Sequence, residues 1–64
     1  MGQPGVPDII GIFRGRFLGI EVKSKAGRLT TAQKIFIDEI NMAGGIAFVA
    51  RSIDDVAEKL GISI

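Results

Sequence analysis

The sequence predicts a small α/β fold of order β-β-α-β-α, a mixed sheet with helices packed on it. Three observations lead there. Two apolar runs flank the basic turn Arg14-Gly15-Arg16, a capping box at Thr30 opens an amphipathic stretch, and a nearly continuous apolar run follows at residues 46–50. A hairpin makes the first two strands antiparallel. A strand–helix–strand unit closes by a right-handed crossover, so the second and third strands run parallel.

Residues 1–7 hold two Pro and two Gly and read as an irregular lead-in. Residues 8–13 read as the first strand, and Gly15 is free to take positive φ in the turn. Residues 17–23 read as the second strand. There Leu18, Ile20 and Val22 share one face, while Phe17, Gly19, Glu21 and Lys23 share the other. A loop over residues 24–29 follows. Thr30 at N-cap and Gln33 at N3 form a capping box. Ala32, Ile35, Phe36, Ile40 and Ala43 recur at helical spacing and predict the apolar stripe. Gly44-Gly45 stops that helix. The continuous apolar character of residues 46–50 predicts a strand buried in the sheet. Ser52 caps a final helix, with Asp54 and Asp55 in its first turn where the dipole favours negative charge, and Gly61 ends it.

Sixty-four residues make one domain, residues 1–64. A chain of this size buries only about 60% of its extended-chain surface. With no Cys and no His, disulfides and zinc sites of the Cys/His type are excluded. The chain is 47% hydrophobic with a mean hydropathy of +0.38, more apolar surface than so small an interior hides. Self-association is the remaining aid to stability. No apolar run approaches the roughly 18 residues of a membrane span. The N-terminus lacks the basic and apolar regions of a signal peptide. The expectation is therefore a cytoplasmic protein without membrane contact.

Charge is divided unevenly. Residues 14–34 carry Arg14, Arg16, Lys23, Lys25, Arg28 and Lys34 against Glu21 alone, a net of +5, while the remainder carries −4. A basic segment around carboxylates suits a polyanionic substrate that must approach a metal. Solubility of exposed loops is the plainer explanation of the same charges.

Antiparallel pairing brings Asp8, at the start of the first strand, beside Glu21-Val22-Lys23 at the end of the second. Mg²⁺ or Mn²⁺ takes hard oxygen ligands and is content with one or two protein carboxylates. Asp8 and Glu21 supply these, with the Val22 backbone carbonyl as a further ligand. Lys23, on the same face as Glu21, is placed to orient an attacking water or to neutralise charge on a phosphoryl group. That set of groups points to phosphodiester cleavage. Taken singly, Pro7-Asp8 reads as a turn with an Asx hydrogen bond, Glu21 and Lys23 as a solvated pair, and Gln33 as a helix cap.

Pro7-Asp8 with Glu21-Val22-Lys23 resembles the PD-(D/E)XK nuclease signature. The longer ordered set is Gly5-Val6-Pro7-Asp8, then Glu21-Val22-Lys23, then Gly27-Arg28-Leu29-Thr30-Thr31-Ala32-Gln33, then Gly44-Gly45-Ile46-Ala47, with Arg51-Ser52-Ile53-Asp54-Asp55 as an ending. It resembles the virus-type replication-repair nuclease (VRR-NUC) family. The resemblance implies a minimal restriction-endonuclease-like core and Mg²⁺- or Mn²⁺-dependent cleavage of branched DNA such as Holliday junctions or flaps. It implies Asp8 and Glu21 as metal ligands, Lys23 as the catalytic lysine and Gln33 as an active-site glutamine. Arg14, Arg16, Lys25, Arg28 and Lys34 are then expected to contact DNA, and the protein to act as a homodimer. The family also implies a helix before the G-x-P-D run that brings a further Glu to the metal. Only residues 1–4 precede Gly5 here, so that carboxylate is expected to be absent. Two other readings keep the same residues: a nucleic-acid-binding module without catalysis, and a self-assembling core fragment.

Overall fold

A computed structural model describes residues 4–63. Five elements follow in the predicted order: β1 (Ile9–Phe13), β2 (Arg16–Val22), α1 (Thr31–Met42), β3 (Ile46–Ala50) and α2 (Ile53–Leu60). The start of the lead-in, residues 1–3, lies outside the described residues.

The β1–β2 connection has only Arg14 and Gly15 between the strands. Both have left-handed backbone, with φ of 51° and 80°. This is the sign pattern of a type I′ hairpin turn, whose twist matches that of the strands. Gly15 takes it freely. Arg14, with a Cβ, takes it at a cost of about 1 kcal/mol. The sheet order is β1-β2-β3, with β1 antiparallel and β3 parallel to the central β2.

The two faces of β2 carry different work. Ile20, with Phe48 and Ala50 of β3, forms the buried cluster under α2, joined by Leu18, Ile46, Val56 and Leu60. On the other face Gly19 lies under Ile40 of α1 and Pro7 of the lead-in; a Cβ there would meet them at 3.2 and 3.0 Å. Glu21 shares that face. Gly5 passes still closer to α1. Its φ is +89°, and a Cβ on it would meet the Ala32 carbonyl oxygen at 2.5 Å, so only glycine lets the lead-in cross there.

The predicted apolar stripe of α1 is corrected. Ile35 does not face the sheet; it is 53% exposed. The inward face of α1 is instead Gln33, Phe36, Ile37 and Ile40, with Ile40 buried. A bond from Gln33 to β2 sets the helix rotation, and two residues on, at about 200°, Ile35 falls on the outer side. β3 is buried, as expected. It is a sheet edge covered by a helix on either face. Its outer backbone is partly closed by Asn41, whose side chain accepts from Ala47 N–H at 2.9 Å and donates to the Ala47 carbonyl at 3.0 Å. Among the described residues the β1 edge has no such cover, and Ile9, Ile10 and Ile12 are 48, 53 and 73% exposed. Among the described residues no helix is long and apolar enough to cross a membrane.

Candidate active site

Asp8 is placed by packing rather than by a ladder. Pro7 before it is buried between Gly19 and α1, and Ile9 after it pairs with Ile20. Asp8 therefore falls one step beyond the last ladder pair, opposite Glu21. Its Oδ2 accepts the Val22 backbone N–H at 2.9 Å. The two motif halves, well separated in sequence, meet directly.

Glu21 is only 2% exposed. Its Oε1 accepts from Gln33 Nε2 at 3.2 Å, while Oε2 is buried with no hydrogen-bond partner among the described residues. Burial pushes the carboxyl above its ordinary value of 4.5. The Asp8 carboxyl pushes it the same way, by hydrogen bonding to the protonated form and by charge, and the Lys23 ammonium opposes both. Lys23, half-buried, follows on the same strand face. A buried carboxylate oxygen lacking a donor is costly unless a proton or a cation meets it.

Gln33 makes the cap bonds that the sequence predicts and a contact with Glu21 besides. Its Oε1 accepts the Thr30 N–H at 2.8 Å and its own N–H donates to Thr30 Oγ1 at 3.1 Å, completing the capping box. The remaining amide nitrogen reaches Glu21. The cap thereby fixes the rotamer that holds the carboxylate.

Arg51 is a residue to which the sequence reading gives no role. Its Nη1 donates to the Gly27 carbonyl at 2.7 Å and to the Ser24 carbonyl, while its backbone N–H donates to Asp55 Oδ2 at 2.8 Å. It ties the loop that follows Lys23 to the end of β3. The signal that finds it is register: Val22 pairs with Ala50, so the residue after β3 must lie beside the residues after β2.

The basic residues divide into two groups. Arg28 and Lys34, with Leu29 and Arg51, line an open recess of about 480 Å³ that contains no acidic side chain. Lys25 lies in the same loop, exposed. Arg14 and Arg16 are not brought to this end. They sit at the hairpin turn, a β2 length away from Asp8, or about 20 Å.

A divalent cation fits the carboxylate pair in its chemistry. The ligands are hard oxygens, one oxygen of Glu21 lacks a donor, and Mg²⁺ keeps most of its waters when it binds one or two carboxylates. Among the described residues no group of three or more Asp, Glu, His or Cys side chains could hold a metal ion, so further ligands would have to be backbone oxygens or water.

No curated protein and no solved structure matched the chain. A family model of the VRR-NUC domain matches residues 1–54. That match covers most of the chain, including every residue of the carboxylate pair, the lysine and the capping glutamine. The protein therefore belongs to the VRR-NUC domain family and is a nuclease-family domain.

Proposed function

We propose that this chain is a divalent-metal-dependent endodeoxyribonuclease that hydrolyses branched DNA and works as a homodimer. The observation that carries the reading is the buried Glu21 carboxylate, one oxygen held by Gln33 and the other without a donor, beside Asp8 and Lys23.

Asp8 and Glu21 would hold Mg²⁺ or Mn²⁺. The Val22 carbonyl is a third oxygen, since a strand residue's N–H and C=O point to the same side and the Val22 N–H faces Asp8. Such an ion, when bound, polarises a phosphoryl oxygen and makes a bound water more acidic. Lys23 would orient the attacking water or neutralise charge on the phosphoryl oxygens. Gln33 holds the Glu21 carboxylate in orientation. In the hydrolysis the water oxygen bonds to phosphorus and the bond to the leaving ester oxygen breaks. The water gives up a proton and the leaving oxygen gains one. Lys25, Arg28 and Lys34, at the same end of the molecule, are proposed to contact the DNA backbone. The exposed isoleucines of β1 support self-association.

The test is cleavage of a labelled four-way junction with Mg²⁺ or Mn²⁺ by the wild type, Asp8→Ala and Lys23→Ala. Each variant is expected to lose about 10²-fold or more in rate. Equal rates in all three proteins would sink the assignment. Salt-dependent junction binding with no metal-dependent product in the wild type would favour a binding module instead.

A further inference from the structure

We propose that the hairpin end remote from the carboxylates is a second phosphate-binding site, built from Arg14, Arg16 and Lys59, that holds a separate segment of nucleic-acid backbone. It rests on the reading of this chain as a DNA-binding protein but not on its catalysis.

A recess of about 350 Å³ opens there, lined by Phe13, Arg14, Arg16, Ile46, Lys59 and Leu60. Three cations converge on an apolar floor, and among the described residues no acidic side chain lines the recess. Two local features have no structural need for these cations. The type I′ turn favours Asn before Gly, yet Arg stands at position 14 with a left-handed φ of 51°. Its guanidinium is held over the Phe13 ring, 4.9 Å from the centroid, which limits the directions it can point. Lys59 is in the last turn of α2, where a cation often serves the terminal carbonyls. Here the backbone serves them: Gly61 N–H donates to Glu58 and Ile62 N–H donates to Ala57. A strained arginine and a lysine not needed by its helix end thus meet in one basic recess.

Position decides what the recess can hold. Arg16 pairs with Phe13 and projects from the sheet face that α2 covers, whereas Glu21 projects from the face that α1 covers. The recess and the carboxylates therefore lie on opposite faces, at ends about 20 Å apart. A backbone segment entering the carboxylate site would have to change faces and cover about 20 Å to reach the recess. A second strand or a second arm can reach it directly, which is the geometry a branched substrate offers.

Binding is measured without divalent metal, so the result is independent of whether Asp8 and Lys23 support cleavage. Labelled four-way junction and a short labelled duplex are titrated with wild type, Arg14→Asn and Lys59→Gln over a series of salt concentrations. Each variant is expected to lower the slope of log affinity against log salt on the junction by about 1. The loss on the short duplex is expected to be smaller. Arg14→Asn is expected to melt at or above the wild-type temperature, because Asn-Gly suits the turn, which separates lost contact from lost folding. Unchanged slopes in both variants, or equal losses on the two DNAs, overturn the proposal.

Discussion

Glu21 concentrates the chemistry and the instability of the chain in one side chain. Its carboxyl is held above the ordinary 4.5 by burial and by Asp8. Between pH 4.5 and that raised value, the folded metal-free protein holds more of this proton than the unfolded chain does. Its contribution to stability is whole below pH 4.5 and is lost as pH rises through the raised value. Glu21→Gln removes that loss. An amide there still accepts from Gln33 and donates toward Asp8. In EDTA the variant is expected to melt above the wild type at neutral pH, with the gap closing below pH 4.5. Added Mg²⁺ should raise the melting temperature of the wild type and leave the variant unmoved. Identical melting curves at every pH and metal concentration would refute the role given to Glu21. The juxtaposition of Asp8, Glu21 and Gln33 was legible from their ordered combination at strand ends and a helix start, since each taken singly reads as a turn, a solvated pair or a cap. The sequence could not show that Gln33 is bonded at both ends of its amide, because that depends on how α1 is rotated over β2.

At the scale of elements, local signals carried far. Thr30, Ser52 and Gly61 cap the helices where their residue types indicate, and the hairpin turn falls at Gly15. What local signals missed are long-range polar contacts. Asn41 on the β3 edge and Arg51 on the 24–27 loop have no periodic pattern to announce them. Arg51 has a consequence for activity. Arg51→Met keeps the apolar stem but loses the donors to Ser24 and Gly27. The loop bearing Lys25 and Arg28 should then loosen. Limited trypsin digestion is expected to cut after Lys25 or Arg28 several-fold faster, with KM for DNA raised more than kcat is lowered. A matching drop in global melting temperature, with no preference for those cuts, would mean that Arg51 only holds the fold together.

The whole molecule has one finished side and one open side. β3 is covered on both faces and blunted by Asn41, whereas β1 presents a free edge with Ile9, Ile10 and Ile12 exposed. An apolar edge strand of this kind is a template for pairing with another chain. Light scattering is expected to show concentration-dependent association, and Ile12→Lys is expected to shift it toward monomer. No change in mass with the lysine would move the contact elsewhere. The mixed sheet was legible from the order of hairpin and crossover. The exposure of Ile35 was not, since stripe membership is decided by the partner surface as much as by spacing.

The orphan oxygen of Glu21 also bears on how tightly a cation can be held. Most carboxylates must shed water before they coordinate a metal. Here Glu21 Oε2 is already buried by the fold, with Gln33 of α1 on the other oxygen. Dehydration is thus charged to the folding equilibrium and not to the binding equilibrium. With a cation on Glu21, ion affinity and apo-protein stability would be coupled with opposite signs. Substitutions that let water reach Glu21 should make the empty domain sturdier and the loaded one weaker.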